Sequence, residues 1–310
     1  MAAAPRIITL IPSATEIVAA LGLARHIVGR SHECDFPAEV VALPPLTRPR
    51  FSTDQSSAKI HESVSALLDQ ALGIYALDIE TFARLAPTHI VTQTRCEVCS
   101  VSLAQVEEAA ASLLGTRPTI LALAPMRLED VFEDTRRVAE ALGVTAQAER
   151  CIGEWRARLA RLDQMVQPAG ARPRIACIEW CAPLMSVGNW VPELVERAGG
   201  RDVLGRAGEH APVIATEALL EADPDIVVFM PCGYDLERTE ADARKLLAEP
   251  RWRALSAFRA GRLYASDGNA YFNRPGPRLV DSAEILAEII APERCRFGHE
   301  GRGWRRLSLS

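Results

Sequence analysis

No stretch of this chain approaches the ~18 consecutive apolar residues that a membrane-spanning helix needs, which excludes an integral helical membrane protein. A basic field is lacking too. The 35 Lys and Arg residues stand against 40 Asp and Glu, a net charge of −5, and no helix-turn-helix or RNA-binding signature is present, so nucleic acid is excluded as a partner. There is no Walker-type lysine loop, no Gly-x-Gly-x-x-Gly fingerprint and no Gly-x-Ser-x-Gly elbow, and nucleotide use and ordinary serine hydrolysis therefore have no support. Low-complexity tracts are absent. Eight cysteines in 310 residues are too few for a disulfide scaffold. The opening residues Met-Ala-Ala-Ala-Pro-Arg-Ile-Ile-Thr-Leu run almost directly into a strand, without basic, apolar and cleavage regions in series. The expectation is a cytoplasmic protein with reduced thiols; the alternative is a periplasmic or cell-surface protein whose signal has been removed.

What is present is an ordinary globular composition, 48% hydrophobic and 24% charged, in a chain long enough for two domains of the usual ~100–200 residues. Its clearest internal trace is a pair of matching segments, Asp78-Ile-Glu80-Thr-Phe-Ala-Arg-Leu-Ala-Pro87-Thr-His-Ile90-Val91 and Ala215-Thr-Glu217-Ala-Leu-Leu-Glu-Ala-Asp-Pro224-Asp-Ile-Val227-Val228. Each reads as a short helix led by a glutamate, ended by a proline that removes a donor and clashes one turn back, then a β-branched strand. Two such halves imply lobes facing each other across a cleft in which a small ligand is recognised.

Elsewhere short β-branched runs alternate with helical stretches, the pattern of mainly parallel sheets with crossover helices. Strands are expected at Ile7 to Ile11, His26 to Gly29, His89 to Thr92, Thr119 to Leu123, Arg174 to Ile178, Asp225 to Phe229 and Arg262 to Ala265, with a last helix at Leu279 to Ile290. The helix opened by Pro12 takes Ser13 or Thr15 as its cap and stops at Gly22. Residues 127–165 read as one long helix, or two broken near Gly143, joining the lobes. The fold class is α/β: two Rossmann-like lobes with mainly parallel sheets and a long interdomain helix. The division is residues 1–125 as the N-terminal lobe, 126–167 as the linker helix, 168–291 as the C-terminal lobe and 292–310 as a basic, poorly ordered tail. The connection from Thr47 to Leu77, partly helical, is read as a lid or an interlobe contact.

In open α/β sheets, ligand groups come from loops at the carboxyl ends of strands. Here those loops carry Ser31-His32-Glu33-Cys34-Asp35-Phe36-Pro37, Gln93-Thr94-Arg95-Cys96-Glu97-Val98-Cys99, Glu179-Trp180-Cys181-Ala182-Pro183, Met230-Pro231-Cys232-Gly233-Tyr234 and Asp267 to Arg274. Five of the eight cysteines lie in them. Ligand-binding candidates are Ser13, Thr15, His32, Glu33, Cys34, Phe36, Arg95, Cys96, Trp180, Cys181, Asn189, Trp190, Tyr234, Tyr271, Phe272 and Arg274. A surface of thiols, one histidine and flat aromatics suits a large planar or metal-bearing ligand.

Metal candidates are Cys96, Cys99, Cys34 and His32. Cys96 and Cys99 have the Cys-x-x-Cys spacing that chelates zinc or an iron–sulfur cluster, but no second pair accompanies them; redox thiols and incidental buried thiols are the other readings. Cys151, Cys177 and Cys295 read as structural. His32 is either a direct ligand or a hydrogen-bonded structural group. Glu80 and Glu217 suit the positive end of a helix dipole, which explains each singly but not their matching placement.

The opening Arg6-Ile-Ile-Thr-Leu-Ile-Pro-Ser13-Ala-Thr15-Glu16-Ile-Val-Ala-Ala-Leu-Gly22-Leu, followed by Ile27-Val28-Gly29, Cys34-Asp35-Phe36-Pro37 and Val191-Pro192-Glu193-Leu-Val-Glu-Arg-Ala-Gly199-Gly200, resembles the vitamin B12 and ferric-siderophore substrate-binding proteins of ABC importers. With the two Glu…Pro…Ile-Val segments, the resemblance runs over nearly the whole chain. It implies two Rossmann-like lobes joined by a rigid helix, little hinge motion, and a metal chelate held between loops of both. It also implies that Glu80 and Glu217 dock on arginines of a permease. Glu33 stands where cobalamin binders tend to place an aromatic, and the cysteine-bearing loops are not general in the family. The nearest likeness is to a cytoplasmic-looking branch called cobalamin-binding.

The expected function is therefore binding without turnover of a corrinoid or similar metal chelate. One rival is an enzyme or metal-centre protein using Cys34, Cys96, Cys99, Cys181 and Cys232 for a zinc or iron–sulfur centre or thiol redox work. The other is a scaffold that docks a partner through Glu80 and Glu217.

Overall fold

β-Branched side chains suit an extended, packed backbone, and the strands form where such residues cluster. The computed structural model describes residues 4–70, 73–94, 101–111, 117–166 and 171–308. The chain falls into two units, one of Met1–Gln55, Lys59–Pro125 and Glu129–Gly153, the other of Ser56–Ala58, Met126–Leu128 and Glu154–Ser310.

The first unit begins with strand β1 (Ile7–Thr9), helix α1 (Pro12–Ala20) and β2 (Ile27–Arg30). β3 (Thr47–Pro49), α2 (Ser57–Asp69) and β4 (Tyr75–Leu77) follow, then α3 (Ile79–Leu85), β5 (His89–Gln93), α4 (Leu103–Ala111), β6 (Thr119–Leu123) and α5 (Leu128–Ala141). Its main sheet has the order β2-β1-β5-β6 with every pair parallel. Ile8, Leu10, Phe82, Ile90 and Val106 form its core. Residues 47–77 are closed at their base by an antiparallel ladder of β3 on β4, with Thr47 opposite Leu77 and Pro49 opposite Tyr75.

The break near Gly143 is real. Gly143 takes φ +70, a left-handed conformation that glycine adopts without a Cβ clash, and it separates α5 from α6 (Thr145–Met165). Glu149, early in α6, pairs with Arg136 of α5 at 2.8 Å.

The second unit contains β7 (Arg174–Cys181), β8 (Leu184–Ser186), α7 (Val191–Arg197), β9 (Arg201–Asp202), α8 (Thr216–Ala222) and β10 (Ile226–Phe229). It ends with α9 (Leu236–Leu247), α10 (Ser256–Arg259), β11 (Leu263–Ser266), α11 (Leu279–Ile290) and β12 (Trp304–Arg306). β9, β7, β10 and β11 lie side by side and parallel. Read by order of appearance, both sheets place their parallel strands second, first, third, fourth. The repeat seen in the sequence is thus a repeat of topology, and its two marked segments are α3–β5 and α8–β10, each leading into the third of these strands. In both, a left-handed residue, Ala86 or Asp223, ends the helix just before the proline.

Two expectations change. β7 runs on to Cys181 and turns into β8, with Cys181 opposite Leu184, so Glu179 to Pro183 is strand and hairpin, not loop. The segment after Pro292 is ordered: β12 pairs antiparallel with β11. The reason is a buried carboxylate. Glu288 of α11 accepts hydrogen bonds from the backbone N–H groups of Phe297, Gly298 and His299 and from Trp304 Nε1 at 2.7 Å. A basic composition says nothing of such an anchor. Replacing Glu288 with Ala orphans those donors and should destabilise the protein by about 2–4 kcal/mol, read from the midpoint of urea unfolding; an unchanged midpoint would refute this anchoring.

Candidate functional site

At the carboxyl end of β1 the chain turns directly into α1. Pro12 occupies the first helical position with Ile11 as the N-cap and no side-chain cap, so Ser13 and Thr15 already lie inside the helix and do not cap it. Both are buried. The Thr15 hydroxyl lies 2.7 Å from Thr9 Oγ1 and donates to Cys34 Sγ at 2.9 Å. Cys34 is buried as well, so Thr9, Thr15 and Cys34 tie together β1, α1 and the loop after β2.

That loop carries the most suggestive chemistry of the first unit. Arg30, at the end of β2, is buried; its Nη1 donates to the carbonyls of Ser31 at 3.0 Å and His32 at 3.3 Å, and its Nη2 to Val41 O at 2.9 Å. Thr47 of β3 meets the same loop, its Oγ1 lying 2.7 Å from His32 Nδ1, 3.0 Å from the His32 amide and 2.9 Å from Ser31 Oγ. The imidazole packs against Tyr75 of β4 with ring centroids 5.2 Å apart, and the Tyr75 hydroxyl donates to Glu33 Oε1 at 3.1 Å. Burial, reinforced by the Arg30 charge, lowers the His32 pKa to about 4. Its ring is neutral at neutral pH. Phe36, farther along, is 46% exposed. The structure thus adds Arg30, Ser31, Thr47 and Tyr75 to His32 and Glu33; Thr47 and Tyr75 were missed because they come from a ladder closed over a long intervening segment that the sequence pattern does not announce.

In the second unit, half-buried Trp180 sits near the end of β7, its Nε1 donating to Ala182 O at 3.0 Å and its ring 5.2 Å from that of Tyr234. The Arg238 guanidinium lies 3.8 Å from the Tyr234 ring centroid. Burial raises the Cys181 thiol far above its ordinary pKa, with Asp242 adding to the effect, which keeps it protonated and a poor metal ligand. Cys232 is exposed on the loop after β10.

Trp190 and Phe272, expected as flat walls, are buried, and Trp190 Nε1 donates to Phe272 O at 2.6 Å. They fasten two loops together. Asn189 at φ 51 and Phe272 at φ 60 take left-handed backbone conformations beside that contact. Arg274 is buried and donates to Asn269 Oδ1 at 2.8 Å. Tyr271 is half-buried, edge-on to His299 at 6.2 Å.

Arg95, Cys96 and Cys99 lie outside the described residues. Among the described residues, Asp281, Glu284 and His299 form the one cluster with metal-ligand spacing, and the Arg158 guanidinium already fills it, donating to Asp281 at 2.5 Å and Glu284 at 2.7 Å. No described cysteine belongs to such a cluster. Glu80 is exposed in the first turn of α3 and Glu217 in the first turn of α8, where Glu217 meets Arg251 at 3.5 Å.

A family model for periplasmic binding proteins matches residues 7–270. The chain belongs to that family. It is a substrate-binding protein of the kind that serves ABC importers, and not an enzyme. A vitamin B12-binding protein of Photorhabdus laumondii is 23% identical over 292 residues, 93% of this chain and 89% of that one. Among solved structures, the periplasmic vitamin B12-binding protein of Vibrio cholerae has a TM-score of 0.65 at 20% identity, covering 93% of this chain and 96% of that one. A periplasmic heme-binding protein from Pseudomonas aeruginosa has a TM-score of 0.69 at 22% identity, covering 94% of each chain. These likenesses carry the α/β fold.

Membership overturns the cytoplasmic expectation, because the family and these solved relatives are periplasmic. That expectation was drawn from the opening residues, whereas a leader is separate from the packed fold and leaves no mark on the residues that define the family.

The His32 environment has a measurable consequence. Its folded pKa of about 4 lies below the ordinary 6.5, so between those values the unfolded chain holds a proton that the folded chain lacks, and stability falls as pH drops through that window. Urea unfolding at about pH 7 and about pH 5 should show the wild type losing roughly 1–2 kcal/mol more than His32→Gln between the two. Equal losses would show that the ring titrates normally.

Proposed function

We propose that this protein captures a metal chelate of the corrinoid, haem or ferric-siderophore class for an ABC-type importer, with a corrinoid as the first candidate. The observation that carries the reading is the loop after β2, where an exposed aromatic, Phe36, lies four residues from a neutral, braced imidazole. An exposed aromatic ring on the same loop as an uncharged nitrogen donor fits a large chelate better than a small charged solute, since ligand sites combine apolar walls with a few placed polar groups. The names of the relatives point the same way, to vitamin B12 and heme.

The proposed contacts are His32, Glu33 and Phe36 of the first unit, on a loop that Cys34 helps to hold. Within the second unit, Trp190, Phe272 and Arg274 shape loops. Glu80 and Glu217 are the docking carboxylates for a permease; the exposed contact of Glu217 with Arg251 is weak enough to exchange for a partner's cation.

Absorbance titration with aquacobalamin, haemin and a ferric hydroxamate tests the reading. Saturable one-to-one binding of at least one is expected, and Phe36→Ala should weaken it about tenfold, the loss of roughly 1.4 kcal/mol of stacking. If none of the three binds at high micromolar concentration, the proposal fails.

A further inference from the structure

We infer that His32 coordinates the cargo's metal through Nε2, and hence that the cargo is a macrocyclic chelate with an exchangeable axial position rather than a chelate whose donors already saturate the metal. This rests on the binding function proposed above and narrows it.

An imidazole serves as a metal ligand when one ring nitrogen is fixed by a second partner and the other is left with its lone pair. His32 meets both conditions. Nδ1 is 2.7 Å from Thr47 Oγ1, and Thr47 is itself buried on β3 and bound to the His32 amide and Ser31 Oγ. The axial role requires the arrangement in which Thr47 Oγ1, accepting from the amide N–H, directs its own proton to Ser31 Oγ and accepts a second bond from Nδ1–H, leaving Nε2 as the basic nitrogen. Nε2 has no hydrogen-bond partner among the described residues.

The ring's plane is held by Tyr75, whose hydroxyl is committed to Glu33, so the phenol steadies the imidazole without competing for a metal. Arg30 opposes protonation of the ring while its guanidinium nitrogens Nη1 and Nη2 are engaged with backbone carbonyls. The nearby thiol is no rival: Cys34 is buried, and its sulfur accepts the Thr15 hydroxyl. Imidazole suits iron and the other transition metals such chelates carry.

The binding step is a ligand exchange. Water leaves the metal as the metal–oxygen bond breaks, the Nε2 lone pair forms the new bond, and the Nδ1 proton stays on the bond to Thr47. The metal keeps its oxidation state. A chelate with six donors of its own offers no position for this exchange.

The test compares aquacobalamin and haemin, which have exchangeable axial positions, with a ferric complex of a hexadentate hydroxamate. Wild-type protein should bind aquacobalamin or haemin, with absorption bands matching the same compound carrying free imidazole in solution. The His32→Ala variant should lose that band shift and at least tenfold in affinity, and added imidazole should restore the shift. Thr47→Val should keep the shift while weakening binding about tenfold, as loss of a supporting partner does. The wild-type spectrum decides the matter even if a variant folds poorly. Macrocycle binding with bands unlike those of the imidazole adduct, or equal in wild type and His32→Ala, overturns the axial role and leaves the binding function standing. Preference for the hydroxamate does the same. Binding of none of the three removes both.

Discussion

Everything at the candidate site depends on one constraint, that a parallel sheet must send every strand in the same direction. Parallel neighbours need crossovers, so all the turns that follow strand carboxyl ends emerge at one end of their sheet. In the first unit that end receives the turn from β1 into α1 and the loop after β2. In the second it receives the turn from β10 into α9 and the residues after β11. β1 is enclosed by β2 and β5, and β7 by β9 and β10. These enclosed strands leave the loops as the places where polar chemistry can reach a ligand.

The interior is not purely apolar, and its polar groups do positioning rather than binding. Thr9, Thr15 and Cys34 tie three segments across the top of β1. Arg158, well along α6, is flanked by Asp281 and Glu284 of α11, while His299 Nε2 reaches the same Glu284 at 3.2 Å. Burial alone would raise the Glu284 pKa, yet the His299 and Arg158 contacts bring it below the ordinary carboxylate value. A buried charge persists only where such partners surround it.

What could be read from the sequence was what local chemistry dictates. Thr119–Leu123 and Leu279–Ile290 were placed to the residue, the first by a β-branched start and the second by an apolar period with no breaker inside it. The doubled helix, proline and strand segment marked a doubled topology because a proline stops a helix regardless of its surroundings. The failures share a different cause. Ser13 and Thr15 looked like caps, but Pro12 had already begun the helix. The hairpin of β7 and β8, the β3–β4 ladder and the ordered tail all depend on partners distant in sequence or on a turn without an Asn-Gly type signal. At the site, His32 stood out by residue type, whereas Thr47 and Tyr75 could not be joined to it without that ladder. Trp190 and Phe272 were misread as walls because an aromatic in a loop looks the same whether it faces outward or pins two loops together.

The ordered tail carries one more implication. A sheet edge with unpaired amides is a template onto which any extended chain can add, and β12 occupies that edge of β11 with its own backbone. The covering strand is itself only three residues long, Trp304–Arg306, so it offers a stray strand little edge of its own. A chain cut back to residue 291 would keep the parallel strands and the loops described above, yet it would uncover β11 and strip Glu288 of its donors. Self-association, rather than altered ligand recognition, would then be the first symptom.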